Sequence, residues 1–103
     1  MKTYDGRLVS VPGEVVDHVE RKHPEMLSVM GLTKHQLISF MVEALEAPIE
    51  VYIDTRGSRY FLKNLNDLYL NIIVTGDTAK TAYLISQRTR QRIGRTRWLR
   101  RLY

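Results

Sequence analysis

The 103-residue chain contains no cysteine, which removes disulfide frameworks, thiolate zinc sites and a cysteine nucleophile together. Nothing therefore argues for an oxidising compartment. No apolar run approaches the roughly 20 residues that a membrane span requires, and the opening MKTYDGRLVS lacks the apolar stretch of a signal peptide. The expectation is a soluble, cytoplasmic protein with no membrane partner. Patterns of the HExxH, GxxxxGK and GxSxG kinds are missing, and Glu43, Glu46, Glu50 and Asp54 form no DxD-like group. Those absences count against zinc hydrolases, P-loop enzymes, serine-hydrolase elbows and magnesium nucleases, so no metal or other cofactor is expected. Acidic residues are absent from the end of the chain, since all 11 precede position 78.

A hydrophobic share of 44% in 103 residues suits one domain with one modest core. Charge is distributed unevenly along it. Residues 1–86 carry nine cations and eleven anions, a net of −2, whereas Arg88, Arg90, Arg92, Arg95, Arg97, Arg100 and Arg101 give residues 87–103 a net of +7. The single domain thus divides into a core, 1–86, and an Arg-rich C-terminal segment. Such a tail points to an anionic partner, nucleic acid being the commonest, or to ion pairs with the acidic body.

Periodicity assigns the elements. RLVSVP (7–12) reads as a short leading strand. Val15, Val16 and Val19 share one helical face between Gly13 and Lys22, and Pro24 biases His23 out of the helical region. Thr33 fits the N-cap of a second helix with Leu37, Ile38, Met41, Val42 and Leu45 as its apolar stripe, closed by Pro48. IEVYID, RYFLKN, LYLNIIV and KTAYLIS then alternate as strands, separated by TRGS, LND and TGD turns. The fold class is α+β: two N-terminal helices packed on a four-stranded antiparallel sheet, with a basic C-terminal helical segment anchored by Ile93, Trp98, Leu99 and Leu102. Val51, Ile53, Tyr60, Leu62, Leu70, Ile72, Val74, Ala82 and Leu84 are expected beneath the helices. Tyr52, Arg59, Phe61, Lys63, Asn71, Thr81 and Tyr83 are expected on the open face, a composition suited to RNA.

The order of a helix, the segment RKHPE, a second helix ending at a proline, the strand YFLK, the apolar strand YLNIIV and the strand TAYLIS resembles the barnase, EndoU, colicin D and RelE superfamily of ribonucleases, most closely its small phage and mobile-element forms. The resemblance spans roughly residues 15–88. It implies metal-independent RNA cleavage, in which the ribose 2′-hydroxyl attacks the adjacent phosphate. It also implies RNA, transfer RNA included, as the substrate class, and an antitoxin or immunity protein as a partner.

That chemistry needs proton carriers and donors for the charge that develops on phosphorus. His23 is the first candidate, because imidazole serves in either direction at neutral pH. Lys63 is the candidate for stabilising the transition state, with Arg21 or Arg59 as a second cation, and Thr81, Tyr83 and Ser86 are candidate phosphate donors. Tyr60 becomes a second proton carrier if its strand presents the other face. Lys22, Arg88, Arg90 and Arg92 complete the candidate substrate-binding set. Each has an ordinary alternative: Lys63 and Arg59 as solvated strand residues, Thr81 as a β-former, Tyr83 packing under the tail. His18, about 140° from His23 on an ideal helix, reads as structural, and His35 as surface. Two non-enzymatic readings stand beside the ribonuclease: a nucleic-acid-binding module of the same fold, and a protein-interaction domain whose tail pairs with an acidic partner.

Overall fold

The structure, a computed structural model, describes residues 2–103. Its order is α1 (Gly13–Lys22), α2 (Glu25–Met30), α3 (Lys34–Glu46), β1 (Glu50–Ile53), β2 (Arg59–Leu65), β3 (Leu68–Thr75), β4 (Thr78–Ser86), α4 (Gln87–Gly94) and β5 (Arg100–Arg101). The α+β class holds. Between the two expected helices lies a third, α2, which Pro24 starts as its N-cap and Gly31 ends in the left-handed region at φ 65°. Thr33 caps α3 as expected, in a reciprocal box: its hydroxyl accepts from the Gln36 amide and its own amide donates to the Gln36 side chain.

All strands pair antiparallel in the order β4-β3-β2-β1-β5. The sheet therefore has five strands rather than four, because the end of the chain returns to β1 instead of remaining helical. Residues 7–12 form no strand; only isolated bridges tie Leu8 to Lys2 and Ser10 to Thr78. Beneath the three N-terminal helices lies the main core, where Val15, Val19, Met26, Leu37, Met41 and Leu45 meet Val51, Phe61, Leu70 and Ile72.

The faces of β2 are the reverse of the expectation. Pairing of Val51 with Phe61 and of Phe61 with Ile72 puts Phe61 under the helices, and with it Arg59 and Lys63. Tyr60 and Leu62 turn to the other side. There a second apolar cluster forms from Tyr52, Leu62, Tyr69 and Ile85, covered by Ile93 and Leu99 of the C-terminal segment. Both sides of β2 are thus buried, so its alternation carried no clear facing signal. The tail anchors differ as well: Ile93 and Leu99 pack, but Trp98 is 66% exposed and Leu102 39%.

A candidate histidine and tyrosine site on the sheet

On the second face of the sheet Thr81 and Tyr83 of β4 are partly buried, and two histidines from α1 lie against them. His23 is the C-cap of α1, with φ −135° and ψ 60°, its amide still donating to the Val19 carbonyl. Because Pro24 has turned His23 off the helix, the 140° separation that would hold on a continuous helix no longer applies. The His18 and His23 rings meet edge to face, their centroids 6.1 Å apart. His18 Nε2 lies 3.0 Å from Thr81 Oγ1 on β4, and the His23 ring lies 5.1 Å from that of Tyr83. His18 therefore belongs to the cluster rather than to the scaffold alone. The signal for it was the same X-Pro restriction that ended the helix.

Glu25, one residue beyond Pro24, brings its carboxylate 3.6 Å from His23 Nδ1, an ion-pair distance rather than a hydrogen bond. On the sheet, Asn71 Nδ2 donates to the Tyr83 hydroxyl over 3.1 Å. That hydroxyl thereby has its oxygen occupied and its proton free to donate. Asn71 is 1% exposed and its Oδ1 has no partner among the described residues. A lone amide within the apolar strand LYLNIIV was the sequence signal for this residue, since a buried polar group in a central strand usually has a specific role.

Tyr60, now on the open face, donates to Asp54 Oδ2 over 3.1 Å. Burial and the Asp54 carboxylate both raise the Tyr60 pKa above the ordinary phenol value, and Tyr83 adds to the effect. Tyr60 is therefore a neutral donor whose proton is already committed. For Asp54, partial burial pushes the pKa up, but amide hydrogen bonds from Ser58 and Arg56 and the Tyr60 hydroxyl outweigh it and hold the carboxyl below its ordinary value. A folded-state pKa below the unfolded one means stability that is present above the unfolded value, about 3.9, and lost as pH falls through the folded one. Asp54→Asn is expected to flatten the acid limb of the stability curve below about pH 4, measured as urea midpoint against pH. An unchanged acid limb would contradict this role for Asp54.

Other candidates lie elsewhere. Lys63 Nζ donates to the Ala47 carbonyl over 3.3 Å, the C-cap of α3, where a cation meets the negative end of the helix. Arg59 is 2% exposed beneath the helices, with its guanidinium 5.4 Å from the Phe61 ring centroid and Nη2 on the Gly76 carbonyl. Burial first, then Arg7, lower its pKa. Ser86 is the N-cap of α4, its hydroxyl accepting from the Thr89 amide. These three are placed for structural work: the reversed β2 register removes Lys63 and Arg59 from the open face, and capping occupies Ser86. Lys63→Ala is accordingly expected to cost about 0.5–1 kcal/mol of stability, read from urea unfolding; a midpoint equal to that of wild type would overturn the assignment.

Arg90 is tied to Glu50 at 2.6 Å and lies 5.6 Å from the Tyr69 ring centroid. Arg21 and Lys22 on the last turn of α1, and Arg88 and Arg92 on α4, are exposed. His35 is exposed, as expected. Among the described residues no cluster of three His, Asp or Glu could hold a metal ion, and no helix is long and apolar enough to cross a membrane. Comparison with protein-family models, curated proteins and solved structures returned no match.

Proposed function

We propose that the chain is a metal-independent endoribonuclease of the barnase, EndoU, colicin D and RelE type, the toxic or effector component of a mobile element or toxin system. The observation that carries this reading is the pair of imidazoles, ring centroids 6.1 Å apart, beside Thr81 and the free Tyr83 proton at the partly buried β4 edge of the sheet. A phosphodiester resting against both rings would meet a proton acceptor at one and a donor at the other. His23 takes the proton of the 2′-hydroxyl. The 2′-oxygen bonds to phosphorus, the bond from phosphorus to the 5′-oxygen breaks, and His18 returns a proton to that oxygen, leaving a cyclic phosphate and a free 5′-hydroxyl. Tyr83 and Thr81 donate to the non-bridging oxygens as charge builds there.

Arg21 and Lys22 at the end of α1, with Arg88 and Arg92 on α4, supply the cations that gather RNA, so affinity falls with salt. An antitoxin or immunity protein is the partner this role calls for. The second reading, a nucleic-acid-binding module without turnover, draws its support from Lys63 and Arg59, whose place under the helices leaves the cluster without the cations first assigned to it. The test is cleavage of mixed RNA, transfer RNA included, in EDTA by wild type and His23→Ala, with product ends resolved. Cyclic-phosphate ends from wild type alone support the enzyme. Intact RNA that binds in a salt-dependent way supports the module.

A further inference from the structure

Trp98 is the chain's only tryptophan, and it is 66% exposed while Ile93 and Leu99 of the same segment pack down on the sheet. With Arg97, Arg100, Ile53, Asp54 and Thr55 it lines a shallow hollow at the end of β1. Arg97 and Arg100 are exposed, and neither forms an ion pair among the described residues, in contrast to Arg90 and Arg101, which Glu50 holds. The one anion in the hollow, Asp54, is engaged by the Tyr60 hydroxyl and by the amides of Arg56 and Ser58. An exposed indole that shares a hollow with two guanidinium groups free of ion pairs suits a nucleobase stacked on the ring with its phosphates against the cations. An acidic peptide would use the cations and leave the ring idle.

We propose that Trp98, Arg97 and Arg100 form a nucleotide subsite for a single-stranded RNA segment whose scissile phosphate lies at the histidine cluster. This rests on the RNA reading above. Asp54 links the two places, since it borders the hollow and also receives the Tyr60 hydroxyl on the open face. In the order β4-β3-β2-β1 the histidine edge and the end of β1 are three strand spacings apart, roughly 14 Å, a span that a short unpaired segment crosses. A duplex would keep its base faces stacked and unavailable to the ring.

The single tryptophan makes the subsite its own reporter. The full chain, in EDTA, is titrated with a short mixed-sequence 2′-O-methyl RNA, which lacks the attacking hydroxyl, and separately with inorganic polyphosphate. Trp98 emission and the anisotropy of a labelled oligonucleotide are followed together, and cleavage of natural RNA is assayed in parallel. The expected result is strong quenching by the oligonucleotide and little by polyphosphate, about tenfold weaker oligonucleotide binding by Trp98→Ala, and recovery in Trp98→Phe, which keeps a stacking ring. Circular dichroism confirms that the variants, changed at an exposed position, remain folded. Oligonucleotide binding with unchanged emission and unchanged Trp98→Ala affinity overturns the subsite alone. Equal quenching by polyphosphate also overturns it, in favour of a general polyanion surface. Absence of both binding and cleavage removes the RNA reading and the subsite with it. Quenching without cleavage keeps the subsite and favours the binding module.

Discussion

On the proposed ribonuclease reading, replacing His23 by alanine is expected to lower RNA cleavage about a thousandfold, the range removed with a proton-transfer group, equivalent to about 4 kcal/mol of transition-state stabilisation. Binding should survive. The imidazole sits at the C-cap of α1, and the amide that closes the helix onto Val19 belongs to the backbone, which alanine retains. The side chain is half-buried against Tyr83, so its truncation should cost about 1 kcal/mol of stability, far too little to unfold a domain with a continuous core under three helices. His18→Ala should produce a comparable loss in turnover, and the double variant should lose little beyond either single one, because groups acting on the same phosphate are not additive. Single-turnover cleavage with saturating enzyme separates chemistry from binding. A His23→Ala protein that is folded and cleaves within threefold of wild type would remove His23 from the reaction.

The helices α1 and α3 were legible because each buries one face, so their 3.6 period, with punctuation by Pro24, Thr33 and Pro48, located them. The strands were located by β-branched and aromatic runs between turn residues, although β1 and β3 bury residues on both faces, Val51 beside Tyr52 and Leu70 beside Asn71. β2 was located but not oriented, because Phe61 lies under the helices while Leu62 lies under Ile93 and Leu99, and neither neighbour looked the more exposed. That one ambiguity misplaced Lys63 and Arg59 and nearly hid Tyr60. The return of the tail to β1 could not be read from two residues of arginine, since β5 is held by its pairing and by Glu50 rather than by any β propensity of its own. Of the cluster, His23, Thr81 and Tyr83 were recognisable as candidates. His18 and Asn71 carried signals, the X-Pro restriction and a lone amide in an apolar strand, that assigned neither a role, and Asp54 and Glu25 carried none, because their part depends on the cap geometry at His23 and on hydrogen bonds across the strands.

Glu50 carries the other large expected effect, since it fastens the Arg-rich segment to the sheet. Its side chain is 4% exposed. Oε1 accepts from Arg90 Nε at 2.6 Å, while Oε2 lies 3.3 Å from Arg101 Nη1 and accepts from the Tyr52 hydroxyl at 3.0 Å. One carboxylate thus joins α4, β5 and the floor of the second apolar cluster. Burial would make so polar a group unfavourable if either oxygen lacked a partner, and here two hydrogen-bond donors and a further cation meet the two oxygens. The guanidinium groups are themselves 30% and 58% exposed at the side chain, so solvent screens part of the attraction. Glu50→Ala is therefore expected to cost about 2–4 kcal/mol, below the upper end for a fully buried pair, because the arginines can recover water while Tyr52 and the vacated space cannot. Glu50→Gln, which keeps the volume and a carbonyl acceptor, should cost about half as much. The loss should be local before it is global: tryptic cleavage among Arg88 to Arg101 should accelerate and Trp98 emission should change at urea concentrations where the helical signal is still intact. Wild-type tryptic rates together with a stability change under 0.5 kcal/mol would contradict the tether. Because Glu50 holds two of the seven tail arginines, its removal should also free charge for an anionic partner, so Glu50→Gln should bind RNA with a steeper salt dependence than wild type even as its fold weakens.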